Sequence, residues 1–281
     1  MKKMFAIVLA ALMVTALLIG CGSSTAETKA PETTAAPAPA ATEAAAPAET
    51  EAAAPAFTTI EAGKLIMSTN AAFPPYEMVA DDGSFEGIDV EIAGAVAKKL
   101  GLELVVDDMD FDAALLAVQQ GKSDIVMAGV TVNEDRELVM NFSDTYSKGV
   151  QVVIVKEGSD VTLDNLGDQM IGTQRGTTGY IYTSGDYGED HVTAYDNGAS
   201  AVQALMNGQV DCVVIDSAPA QAFVEANPGL TILDTEYTSE DYAIGMNKDN
   251  TALLEAVNAA LAELTADGTI PAIVEKYIPT K

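Results

Sequence analysis

Five short segments carry the residues best suited to hold a small charged molecule. They are Asn70-Ala-Ala-Phe73-Pro-Pro-Tyr76-Glu77, Asp108-Met-Asp-Phe111, Ala128-Gly129-Val-Thr131-Val-Asn-Glu-Asp-Arg136, Gln174-Arg-Gly-Thr-Thr178-Gly179 and Ile215-Asp216-Ser217. Together they offer a fixed cation, a carboxylate, aromatic faces and several backbone donors. Arginine grips a carboxylate through a bidentate fork, and aspartate accepts from an ammonium group. Gly-Thr-Thr at a helix start presents free N–H groups to an anion. Those are the groups needed to hold a zwitterion with a side chain. Each has a plainer alternative. Arg136 could be a solvated helix residue paired with Glu134 or Asp135, Asp216 could cap a helix beginning near Ser217, and Phe73 and Phe111 could be core aromatics.

Every one of these segments follows a stretch that reads as a strand, within an alternation of short apolar runs and helical stripes that marks an α/β chain. Strands are expected at Leu65–Met67, Leu104–Val106, Ile125–Met127, Val150–Val155, Met170–Thr173 and Cys212–Ile215. Ile88, Ile92, Val96 and Leu100 share one helix face with Gly101 as its C-terminal cap. Phe111, Leu115 and Val118 form a second stripe closed by Gly121. Further helices are expected over Ala199–Met206, along Leu253, Leu254, Val257, Leu261 and Leu264 before Gly268, and from near Pro271. In open α/β sheets ligands gather at the carboxyl ends of strands. Two consecutive β/α sets and a helical tail fit two small sheets better than one.

The first twenty residues belong to a different regime. Met1-Lys2-Lys3 is basic, Met4 to Gly20 carries no charge, and Leu18-Ile19-Gly20-Cys21 resembles a bacterial lipobox. This pattern predicts a lipoprotein signal peptide over 1–20 and an acylated Cys21, which places the rest outside the cytoplasm on a membrane anchor; an uncleaved membrane helix is the alternative. Residues 21–56, rich in Ala, Pro, Thr and Glu, cannot bury enough apolar surface to offset the entropy of ordering and read as a disordered tether. The chain has 14 Lys and Arg against 42 Asp and Glu, a net charge of −28, which argues against nucleic acid. With Cys21 acylated, Cys212 is expected as a buried free thiol. No metal, cofactor or nucleotide motif accompanies the single histidine, His191, so neither cofactor nor metal is expected. The sequon at Asn141 to Ser143 carries no weight in such a protein.

FPPYE, the MDF before a helix, GVTVNEDR, the FSDTY of Phe142 to Tyr146 and RGTTG occur in an order that resembles bacterial solute-binding protein family 3, the lipoproteins that serve polar amino-acid ABC importers. The resemblance runs from Lys64 to Tyr277. It implies a periplasmic-binding-protein-like type II fold, in which two α/β lobes with small sheets are joined by two crossover strands. The lobes would comprise 57–149 plus 243–281, and 150–242. It further implies that Arg136 clamps a ligand α-carboxylate, helped by Thr131 and by the Thr178 amide, and that Asp216 and a carbonyl or other polar group at Gly129 take the α-ammonium. Phe73 and Phe111 would sandwich the side chain and Asn70 and Gln174 would meet its far end. Neutral amides at both far-end positions tilt the ligand toward a neutral polar amino acid, unless Glu77, Asp108, Asp110 or Asp112 points inward. Arg175 is expected at the surface or between lobes.

The resemblance implies a monomeric binding protein that passes its amino acid to a permease, with no catalytic residue. A cyclohexadienyl-type dehydratase on the same scaffold would need a positioned acid that nothing in the sequence singles out. An extracellular sensor is the third class; such a chain usually continues into a membrane helix and a signalling domain.

Overall fold

The computed structural model describes residues 57–234 and 236–279. The signal peptide and the whole of the tether, Cys21 included, lie outside them. Among the described residues no helix is long and apolar enough to cross a membrane.

The first strand set comprises β1 (Lys64–Thr69), a small hairpin sheet of β2 (Ala72–Phe73), β3 (Glu77–Val79) and β4 (Phe85–Glu86), then α1 (Ile88–Lys99), β5 (Glu103–Asp108), α2 (Phe111–Gln119), β6 (Ile125–Val126) and α3 (Glu134–Val139). A 17-residue strand, β7 (Met140–Lys156), leads into the second set. That set contains β8 (Ile171–Gln174), α4 (Thr178–Tyr187), β9 (Val192–Tyr195), α5 (Gly198–Met206), β10 (Cys212–Asp216), α6 (Ser217–Ala226) and β11 (Leu230–Ile232). The chain returns through β12 (Thr238–Asn247) to α7 (Thr251–Ala266) and α8 (Thr269–Tyr277).

Helix ends follow the sequence signals. At the end of α1, Gly101 adopts φ 72° while the Leu102 amide donates to the Ala97 carbonyl at 2.8 Å, a left-handed cap that a side chain would strain. Asn133 caps α3 by accepting from the Arg136 amide at 2.9 Å, which fixes the first turn that carries the guanidinium.

Two strand sets are present, as expected, but hydrogen bonding does not stop between them. The path β5-β1-β6-β12-β7-β10-β8-β9, with β11 on β7, makes one nine-stranded ladder. The reason lies in the length of the crossovers: β7 pairs with β12 from Met140 to Gln151 and with β10 from Gln151 to Ile154. The ladder is irregular at the expected boundary, with register shifts between Tyr242 and Ala243 and between Ala243 and Gly245. Bulges of this kind bend and twist a strand pair. Within each set the strands run parallel, β5-β1-β6 and β10-β8-β9, so their carboxyl ends open on a shared cleft. The largest apolar cluster runs through both sets, from Leu65 and Ile92 to Val213 and Ile215, and includes Tyr76 and Tyr242. Cys212 is a buried free thiol in β10.

Candidate functional site

The cleft is nearly filled and holds a cavity of about 10 Å³, about the space of a single water molecule. It is lined by Asn70, Phe73, Phe111, Gly129, Thr131, Arg136, Gln174, Thr178 and Asp216, together with Glu77, Ala128 and Thr177. All nine residues singled out from the sequence are thus brought to one wall or another of the same space. They stand just beyond β1, β5 and β6 on one side and at the ends of β8 and β10 on the other.

Arg136 is 7% exposed. Its guanidinium donates to the Thr131 carbonyl at 2.8 Å and, across the cleft, to the Gly176 carbonyl at 3.2 Å, and it stands 5.4 Å from the centroid of the Phe111 ring. No ion pair reaches it among the described residues. Burial lowers its pKa from the ordinary value, against the pull of Glu240. Two carbonyls leave part of the five-donor fork available to an anion. The Glu134 or Asp135 pairing is therefore not the arrangement adopted. Arg175 lies at the surface of the second set, 3.7 Å from Asp196.

Asp216 does not cap α6 through its side chain. Its carboxylate accepts from the Tyr242 hydroxyl and from Gln151 Nε2, the latter at 2.8 Å. Gln151 also donates to Glu240 at 3.0 Å, and Glu240 accepts from the Thr131 hydroxyl at 3.0 Å. Burial, with Glu240 nearby, pushes Asp216 up to about 7. Gly149 makes the crowding possible: a Cβ there would lie 2.5 Å from Tyr242 Oη and 2.6 Å from Asp216 Oδ1. Gln151, Glu240 and Tyr242 were not singled out from the sequence, since they sit in crossover strands with no local motif.

At the other end, Asn70 donates to the Met109 carbonyl at 2.8 Å and accepts from Gln174 Nε2 at 2.9 Å. The two amides thus contact each other across the cleft, as Thr131 and Thr178 do at 3.4 Å. Gly129, at φ 56°, would place a Cβ 2.9 Å from the Phe73 ring. That contact keeps both the backbone and the aromatic against the cavity. Of the four acids able to reverse the neutral-ligand expectation, Glu77 lines the cavity. It is fully buried, and its carboxyl meets that of Asp89 with no other hydrogen-bond partner. Asp108 instead accepts from the Ala71 amide at 2.8 Å. No group of side chains able to hold a metal occurs among the described residues.

Residues 65–280 match the bacterial extracellular solute-binding proteins, family 3, and the chain belongs to that family. It is 29% identical over 228 residues to ABC transporter arginine-binding protein 1 of Escherichia coli K12, a match covering 79% of this chain and 94% of that protein. Its fold is similar to that of an ancestral arginine-binding protein solved with two ligands. The form bound to arginine gives a TM-score of 0.73 at 39% identity, covering 77% of this chain and 98% of that one. The form bound to glutamine gives 0.74 at 38%, covering 78% and 99%.

Proposed function

We propose that this chain captures a basic amino acid of the arginine type in its interlobe cleft and presents it to the membrane subunits of an ABC importer. One observation carries the charge preference: Glu77 places a fully buried carboxyl group on the cavity wall, beside a second one at Asp89 and with no cation near it. A buried charge is tolerated when paired, and a guanidinium on the ligand side chain is the partner that fits. Arg136, with Thr131 and the Thr178 amide, takes the α-carboxylate; Asp216 and the Gly129 carbonyl take the α-ammonium. Phe73 and Phe111 hold the aliphatic stem, and Asn70 and Gln174 flank the far end beside Glu77. The lobes are 57–149 plus 243–281 and 150–242, hinged where β7 and β12 lose register. The protein acts as a monomer outside the cytoplasm, without catalysis, tethered by an acylated Cys21.

The contact between the Asn70 and Gln174 amides favours a second reading, a neutral amide side chain such as glutamine. Calorimetric titration with the twenty amino acids and cystine decides between them. Arginine should bind tightest, and Glu77→Gln should erode its advantage over glutamine, since losing one partner of a buried charge pair costs about 2–5 kcal/mol. Glutamine binding tighter than arginine would overturn the basic assignment. Cys21→Ala should leave an uncleaved or released protein; a normally processed chain still in the membrane fraction would refute the anchor.

A further inference from the structure

Beside the cavity, the Asp89 amide in the first turn of α1 donates to the Tyr76 carbonyl at 2.9 Å, which sets its carboxyl next to that of Glu77 at the start of β3, both fully buried. Asp89 Oδ2 accepts from the Gly129 amide at 2.9 Å. Apart from each other and the Tyr146 hydroxyl, Asp89 Oδ1 and both Glu77 oxygens have no hydrogen-bond partner, and no ion pair reaches either residue among those described. The titratable neighbours are acidic or phenolic: Tyr146 of β7 and Tyr76 before β3, Asp108 ending β5, and Asp216 ending β10. Two carboxylates in contact away from water cannot both ionise easily. Burial, followed by the Asp89 charge, holds Glu77 well above the usual carboxylate range, and burial pushes Asp89 up to about 6.

We propose that Asp89 is a specificity-determining residue acting through Glu77: the two carboxyls share a proton, and a cationic ligand side chain displaces protons from the pair into solvent, whereas a neutral one leaves them in place. This rests on the basic-amino-acid reading above. The only bond broken is a carboxyl O–H, with the proton passing to water. The sign follows from linkage. The pair holds fewer protons beside a cation, so affinity for a cationic side chain rises with pH through the range where the pair titrates. The gain is up to about tenfold per pH unit for each proton displaced. Asp216 titrates in the same range, but it faces the α-ammonium, which cationic and neutral amino acids share. Its effect cancels in the ratio of their affinities.

The test is calorimetric titration of the full chain with L-arginine and its neutral isostere L-citrulline, from about pH 5 to about pH 8, in buffers of different ionisation enthalpy. Arginine should release protons that citrulline does not, and the arginine-to-citrulline affinity ratio should grow by about tenfold or more across the range. Asp89→Asn keeps an acceptor for the Gly129 amide and removes the like-charged neighbour, so the midpoint of the ratio's pH dependence should move down. If Asp89→Asn does not fold, the proton count on the unsubstituted chain decides. A ratio constant within about twofold, with equal proton release for both ligands, overturns the inference while leaving arginine as the ligand. An unmoved midpoint in Asp89→Asn overturns the part given to Asp89. Arginine binding no tighter than citrulline at any pH instead defeats the basic-amino-acid reading itself.

Discussion

Replacing Arg136 with alanine isolates the largest interaction assigned to the site. The guanidinium is 7% exposed, spends two hydrogen bonds on the Thr131 and Gly176 carbonyls, and has no carboxylate partner among the described residues. Without it, a ligand carboxylate entering the cleft would lose its hydration and meet no counter-charge. Breaking a buried pair in this way costs about 3–5 kcal/mol, which is about two to four decades in affinity. Stability without ligand should respond differently. The variant leaves two carbonyls less well satisfied but also removes a cation that burial already disfavours, so the melting temperature should stay within about 5 °C. Calorimetry against arginine and a thermal scan measure the two effects. Binding within about threefold of the unsubstituted chain would place the carboxylate clamp elsewhere. A collapse of stability would instead make Arg136 a structural residue.

Gly149→Ala should destabilise the crossover by about 1–3 kcal/mol, because its Cβ would fall 2.5 Å from Tyr242 Oη; an unchanged melting temperature and affinity would refute the crowding argument. Without ligand, thermal stability should decline from about pH 5 to about pH 8. Asp89 at about 6 and Asp216 at about 7 stand above their ordinary value of 3.8, so the folded state retains protons that the unfolded chain has shed. The stabilisation from those groups is complete below 3.8 and is lost as pH rises through their folded values; a flat or rising melting curve contradicts this. Asn70→Asp keeps the acceptor for Gln174 and loses the donor to Met109, and its added charge should weaken neutral amino acids more than arginine in titration. Equal weakening of both would remove Asn70 from the specificity end.

The gathering of the nine expected residues around one cavity was legible because each lies in a short motif that follows a strand, with Arg136 the farthest, ten positions past the end of β6. Helices α1, α2 and α7 were legible for a related reason: Ile88, Ile92 and Val96 repeat at the helical period over enough turns to stand out. The hairpin β2–β3–β4 was not, since strands of two or three residues have no period to detect. Continuity of the ladder through β7 and β12 was also hidden, because pairings such as Thr238 with Gln151 join residues far apart in sequence. Asp89 reads in the sequence as one more acid near a helix start. Only the fold shows it fully buried against Glu77 and holding the Gly129 amide.

Recognition and closure draw on the same groups. Three contacts cross the cleft: Gln174 to Asn70, Arg136 to Gly176, and Thr131 to Thr178. At about 0.5–1.5 kcal/mol net for each of the two neutral hydrogen bonds and about 1.5–3 kcal/mol for the one from the guanidinium, they hold the lobes together only modestly. Against them stand a cation at Arg136 and carboxyls at Asp216 and Glu77, all buried at the cleft, where a group without a counter-charge is costly. A ligand can shift that balance only by its differential affinity for the closed form, and a swing from 1:99 to 99:1 needs about 5.5 kcal/mol. Two of the charge pairs offered by a basic amino acid, at about 3–5 kcal/mol each, are of the required size. Asp216 also shares Gln151 of β7 with Glu240 of β12. The group proposed to receive the ammonium is therefore one hydrogen bond from a side chain bridging both crossover strands, so on this proposal the contacts that identify the ligand bear directly on the strands about which the lobes would close.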